Sequence, residues 1–163
     1  MSKKGKGYIK KLREKIGHDK FIHPAARIII ENKYGQILFI ERKDNGNLGI
    51  PAGGIEEGET IEECMKREVR EETGLEILKL EVIGISSNPQ SETVIYPNGD
   101  VIQYFTIEFY SNSWTGNLKV EDEEEIVNIK FMDRTYLDNL PDNEKSIIES
   151  LEYFKKEKKI RLN

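Results

Sequence analysis

A mixed sheet with helices on both faces, an α/β (α+β) architecture, is the fold class this sequence predicts. Three observations point to it. β-rich runs recur at residues 25–31, 36–41, 78–87 and 125–133. A helical segment with its own start and stop signals, from about Ile61 to Thr73, interrupts them. A second helical pattern follows Pro141, where Ile147, Ile148, Leu151 and Phe154 recur at helical spacing. Neither a helix bundle nor a sandwich of sheets accommodates that order.

In chain order, GYIKKLREKIGHD places Tyr8, Ile9, Leu12 and Ile16 on one stripe of a basic helix, which predicts docking on the body of the protein or on a second copy, as in a homodimer. AARIIIE and QILFIE flank NKYG and read as a hairpin. The glycines and proline of RKDNGNLGIPAGG mark a loop. After the acidic helix, LKLEVIGISS reads as a strand, and ETVIYPNGDVIQYFTIEFY as a second hairpin turning at PNGD. Along its second arm Val101, Gln103, Phe105, Ile107 and Phe109 share one face; Ile102, Tyr104, Thr106, Glu108 and Tyr110 share the other. EIVNIKFMD supplies a further strand before the last helix.

At 163 residues the chain fits one domain, and 37% hydrophobic residues suffice for one core. The expected organisation is a basic N-terminal helical extension over 1–20 and a main domain over 21–163. Cys64 is the only cysteine, which excludes an internal disulfide and a cysteine-rich zinc site. The N-terminus lacks the apolar stretch of a signal peptide, and no apolar run approaches membrane-spanning length. These features predict a soluble cytoplasmic protein with no membrane partner.

The net charge of −5 conceals an asymmetry. Residues 1–20 carry eight Lys or Arg against Glu14 and Asp19, and residues 155–163 carry five against Glu157. The 134 residues between them hold twelve basic and twenty-seven acidic side chains, a net of −15. Such a body repels polyanions, so a phosphate substrate needs a bridging cation. The basic ends read as solvated extensions, with RNA contact as the alternative.

GGIEEGETIEECMKREVREETGLE, residues 53–76, concentrates the acid. Thr60 and Glu63 have capping-box spacing, and Gly74 suits the helix C-terminus. At 100° per residue Glu62, Lys66 and Arg70 share a solvated face, while Ile61, Cys64 and Met65 share the opposite side with Glu68, Glu71 and Glu72. Carboxylates in a last helical turn oppose the macrodipole, and Glu68 repels Glu72 at i, i+4. Three oxygen donors within one turn, with no His or Cys in that turn, suit a hard cation such as Mg²⁺, with Mn²⁺ as an alternative. Arg67 can hold these carboxylates but cannot neutralise all of them.

The spacing Gly53, Glu59, Arg67-Glu68-Val69, Glu71-Glu72, Gly74-Leu75 resembles the signature box of the Nudix (MutT-like) hydrolases at every specified position. The preceding hairpin, the PAGG entry and the later strands and helix are similar too; Leu48 departs from the Trp that many members carry there. The resemblance implies a Nudix-type α/β/α sandwich in which Glu68, Glu71 and Glu72 ligate metal together with the main-chain carbonyl of Ala52. It further implies that Glu59 and Arg67 support the loop–helix geometry, that Gly53 and Gly54 are permissive backbone positions and that Gly74 ends the helix. The implied reaction is hydrolysis of a diphosphate linkage in a nucleoside diphosphate joined to another moiety, a nucleotide-derived small molecule.

The general base is Glu68 or an acid of the EDEEE loop: Glu121, Glu123, Glu124 or Glu125. Arg42 and Lys43 are candidates for substrate phosphates, and Tyr104 or Tyr110 for stacking on a base, against ordinary roles as strand-end charge and packed aromatics. Cys64 reads as a small core residue, His23 as structural, and Trp114 as a cap on a sheet edge. Two other readings stand beside this one. The same site could remove a pyrophosphate from an RNA 5′ end, or the fold could serve as a nucleotide sensor without turnover; the full set of glutamates argues against the sensor.

Overall fold

The computed structural model describes residues 5–163; Lys3 and Lys4, counted in the basic extension, lie outside the described residues. The helix α1 spans Gly5–Ile16. It is followed by β1 (Phe21–Ile30), β2 (Ile37–Arg42), β3 (Leu48–Gly49) and β4 (Ala52–Gly54). Next come α2 (Ile61–Thr73), β5 (Leu75–Ile77), β6 (Glu81–Ser86), the helical turn α3 (Pro89–Glu92), β7 (Thr93–Ile95) and β8 (Val101–Ser111). The chain closes with β9 (Trp114–Gly116), β10 (Ile126–Met132), a 3-10 turn (Arg134–Asn139), α4 (Ser146–Glu157) and β11 (Arg161–Leu162).

The central sheet is mixed, in the order β11-β6-β8-β1-β4 with β7 also on β8. β1 runs parallel to β8 from Phe21↔Ile102 to Ile30↔Ser111 and antiparallel to β4, where Arg27 faces Ala52 and Ala26 faces Gly53. A strand paired on both edges and covered on both faces must be apolar throughout, which the run Ala25–Ile30 satisfies with one exception, Arg27. Ala26, Ile28 and Ile30 pack with Cys64, Met65 and Val69 of α2. Ile29 points the other way, into a second cluster with Ile83, Tyr110, Ile147 and Leu151 of α4. Helices therefore cover both faces of the sheet, as the element order predicts.

Two strand readings need correction. The turn at NKYG is present, with Asn32 N–H donating to Gln36 O at 2.9 Å and Gly35 at φ 75°. Its arms do not form a hairpin beyond the bridge Glu31↔Ile37. β2 departs to a separate sheet, β10-β2-β3, because β1 gives its two edges to β8 and β4. The glycine-rich stretch before the box is not simply loop, for it contains the short strands β3 and β4. The second hairpin does form: β7 pairs with β8 from Thr93↔Gln103 to Ile95↔Val101, and Gly99 turns at φ 90°.

α2 carries the box residues and is fixed at both ends. Thr60 accepts from Glu63 N–H while the Glu63 side chain accepts from Thr60 N–H, and Gly74 takes the left-handed conformation at φ 76°. The helix α1 lies on its own body. Tyr8 stacks on His23 with ring centroids 5.6 Å apart, the Arg13 guanidinium sits 4.7 Å over the Phe21 ring, and Arg13 Nε approaches Asp100 at 3.4 Å. No helix among the described residues is long and apolar enough to cross a membrane.

Candidate active site

The box forms where β4 meets α2. Gly53 brings its backbone against the Glu68 carboxyl so closely that an added Cβ would lie 2.1 Å from the carboxyl carbon. Glu68 and Glu72 are buried and Glu71 is half-buried, whereas Glu62, Lys66 and Arg70 face solvent. Of the inward face anticipated from the helical count, Cys64, Met65, Glu68 and Glu72 are buried and Ile61 and Glu71 half-buried; Arg67, Val69 and Thr73 are buried with them. Arg67 gathers the acids: it donates to Glu59 through Nε at 2.5 Å and Nη2 at 3.0 Å, to Glu68 Oε1 at 2.6 Å and to Glu71 Oε2 at 3.4 Å. Its Nη2 also reaches the Gly54 carbonyl at 3.2 Å, which ties the helix to the glycine loop. Glu72 Oε2 accepts from Ala52 N–H at 3.2 Å.

The electrostatics follow from burial. Glu68 is fully enclosed, and its Oε2 has no hydrogen-bond partner. Burial pushes its carboxyl up to about 7 although Arg67 pulls in the opposite sense. Burial, with Glu68 adding to it, raises Glu72 well above the usual carboxylate range; Arg42 and the Ala52 N–H oppose the rise. Among the described residues no three carboxylate, imidazole or thiol groups converge on one point. Glu59, Glu68 and Glu71 stand about the Arg67 guanidinium instead, and Glu72 against the Ala52 N–H.

A pH dependence follows. Because the folded value of Glu68 lies above the ordinary 4.5, the fold binds this proton more tightly than the unfolded chain does. The contribution is complete below about pH 4.5 and is lost as pH rises through about 7. In EDTA, wild-type Tm is expected to fall relative to Glu68→Gln across that window. Parallel Tm curves for the two proteins would show that Glu68 contributes no such term.

Around this centre stand the other residues singled out in the sequence. The EDEEE loop is brought beside the box, since Asp122 N–H donates to Glu71 O at 3.2 Å and Lys43 N–H to Glu125 O at 2.8 Å. Arg42 is paired with Glu144 at 2.6 Å. Tyr104 bonds the Tyr96 hydroxyl at 2.5 Å and meets the His23 ring edge-on. His23 is buried among rings and lowered to about 4 by that burial. Cys64 is buried with its thiol pushed up to about 12, as a core residue. Trp114 stacks on Phe131 and donates to Glu31 O at 3.3 Å. A surface hollow of about 650 Å³ lined by Glu149, Tyr153 and Arg161 shares no residue with the box.

Sequence reasoning missed a buried polar network on the opposite face of β1. Arg27 Nη2 contacts Glu92 at 2.6 Å and Glu108 at 2.7 Å. Ser86 and Thr106 donate to Glu92, and Ser146 and Ser150 of α4 donate to Glu108. The signal was present: one arginine in AARIII and one glutamate in YFTIEFY are charges inside apolar strands, which require each other when buried.

A glycine loop opening onto a helix whose inner face is buried carboxylate, on a mixed sheet between helices, defines the Nudix class of architecture. The family model described as NUDIX domain matches residues 21–154, and the chain belongs to the Nudix family of hydrolases. An ADP-ribose pyrophosphatase of Methanocaldococcus jannaschii is 38% identical over 155 residues, covering 88% of this chain and 84% of that protein. An RNA pyrophosphohydrolase of Shewanella baltica is 48% identical over only 48 residues, 29% of this chain and 28% of that protein. The crystal structure of a MutT protein from Methanosarcina mazei Go1 superposes with a TM-score of 0.66 at 19% identity, over 85% of this chain and 98% of that one, a likeness of fold.

Proposed function

We propose that this chain uses Mg²⁺ or Mn²⁺ to hydrolyse the diphosphate linkage of a nucleoside diphosphate joined to a second moiety, with ADP-ribose as the leading substrate. The observation that carries the reading is the buried pair Glu68 and Glu72 beneath the glycine loop, one of whose oxygens has no partner. Two enclosed carboxylates one helical turn apart are stable only with a proton or a cation between them. The donor set is all oxygen, and the missing side chain at Gly53 lets the backbone lie directly against the Glu68 carboxyl, so the residues fit a hard divalent ion. Glu68, Glu71, Glu72 and the Ala52 carbonyl would hold it.

When bound, such an ion neutralises phosphate oxygens and lowers the pKa of a coordinated water. The protein's own residues supply the rest. Glu68 Oε2, the oxygen that Arg67 leaves unbonded, is the first acceptor for the proton of the attacking water, with Glu125 of the neighbouring loop as the alternative. Arg67 keeps Glu68 in one orientation and ties it to Glu59. Tyr104 is a candidate contact for the base.

Likeness to the ADP-ribose pyrophosphatase extends over most of both chains, whereas likeness to the RNA enzyme is confined to a stretch of 48 residues, and this favours the small-molecule substrate. The test is a panel of ADP-ribose, nucleotide sugars, dinucleoside polyphosphates, nucleoside triphosphates and 5′-triphosphorylated RNA, each with Mg²⁺, Mn²⁺ or EDTA. ADP-ribose is expected to give AMP and ribose 5-phosphate with either ion and nothing in EDTA. Faster cleavage of the RNA end, or turnover undiminished by EDTA, would overturn the reading.

A further inference from the structure

Glu144 lies in the turn ahead of α4, far along the chain from the box, and is 5% exposed. Its two oxygens do different things. Oε1 accepts from Arg42 Nη2 at 2.6 Å, and Oε2 accepts from Ile50 N–H at 3.0 Å, two residues before Ala52. The Arg42 guanidinium is held close over Gly49, where an added Cβ would lie 2.9 Å from both Nε and Nη2. Glu72 meets the same segment two residues on, its Oε2 accepting from Ala52 N–H at 3.2 Å, and the Arg42 guanidinium favours its ionised form. A permanent cation thus stands within electrostatic reach of a carboxylate that the proposed function needs for a metal ion.

We propose that Glu144 is a positioning residue which, by holding the Arg42 guanidinium over Gly49, keeps that cation off Glu72 and leaves the Glu72 carboxylate to a divalent ion. This rests on the metal reading given above. Arginine cannot be deprotonated, so an unrestrained guanidinium competes with the ion at every working pH. The anchoring is bidentate in function, because the same carboxylate that restrains Arg42 also fixes Ile50 in the link between β3 and β4 that leads into Ala52.

The test measures Mn²⁺ binding to the full chain without substrate, from the electron paramagnetic resonance signal of free Mn²⁺. Glu144→Gln keeps an acceptor for Ile50 N–H but frees Arg42, and it is expected to weaken Mn²⁺ binding about tenfold; adding Arg42→Met is expected to restore affinity to within about twofold of wild type. Wild-type affinity in the single variant, or a double variant no tighter than the single, overturns the inference. If Glu144→Gln loses the native circular dichroism spectrum, Arg42→Met is compared with the double variant. Equal affinities are then expected, and a further tenfold loss on adding Glu144→Gln overturns the proposal. A wild-type chain that binds no Mn²⁺, or a Glu72→Gln variant that binds it unchanged, would instead strike the metal reading itself.

Discussion

Replacing Glu72 by Gln is expected to lower kcat about a thousandfold, ~4 kcal/mol of transition-state stabilisation, while the fold survives. The substitution keeps volume and an acceptor for the Ala52 N–H but removes one buried charge beside Glu68. Since that charge is unfavourable in the metal-free protein, Tm in EDTA should be unchanged or higher than wild type. Loss of activity with retained stability is the signature of a group used for chemistry rather than for holding the chain together. Steady-state rates on the best substrate, with calorimetry on the same samples, check both halves; activity within tenfold of wild type would remove Glu72 from the active centre.

Arg27→Met should have the largest effect on stability. Arg27 lies between Glu92 and Glu108, and all three are at most 3% exposed. Removing the cation leaves two enclosed carboxylates with only hydroxyl donors, and breaking a buried pair in this way costs about 3–5 kcal/mol. For a chain of this size that corresponds to a fall of about 10 °C in Tm. Gly84 adds to the constraint, since a Cβ there would lie 2.5 Å from Glu108 Oε2 and from Ser150 Oγ, so the surroundings cannot easily repack. A variant that melts within 2 °C of wild type would show that the network contributes little.

The acidic helix was legible in the sequence because everything that fixes it is local. Its cap is Thr60 with Glu63, its stop is Gly74, and its buried face is set by a fixed angular advance. The PNGD hairpin was legible for the same reason, a two-armed turn with a glycine at positive φ. The parting of β1 and β2 was not, because their partners, β8 and β10, lie far downstream and nothing in NKYG refers to them. Pairing of Glu144 with Arg42 was hidden by the same separation, and by a carboxylate that looks like surface charge in PDNEK. Arg27 and Glu108 could have been flagged as charges in apolar strands, yet only the parallel register shows that they stand opposite one another.

That register has a further meaning for how the enzyme comes into being. Within the sheet the strand bearing Ala52 and Gly53 pairs with β1 alone, and β1 finds its other neighbour only once residue 111 has been synthesised. A truncated chain stopping at residue 100 would carry every signature residue and still be inert, since the motif borrows its shape from a stretch of polypeptide that contains none of it. Excising the box as a portable module should therefore yield an acidic peptide and no catalyst.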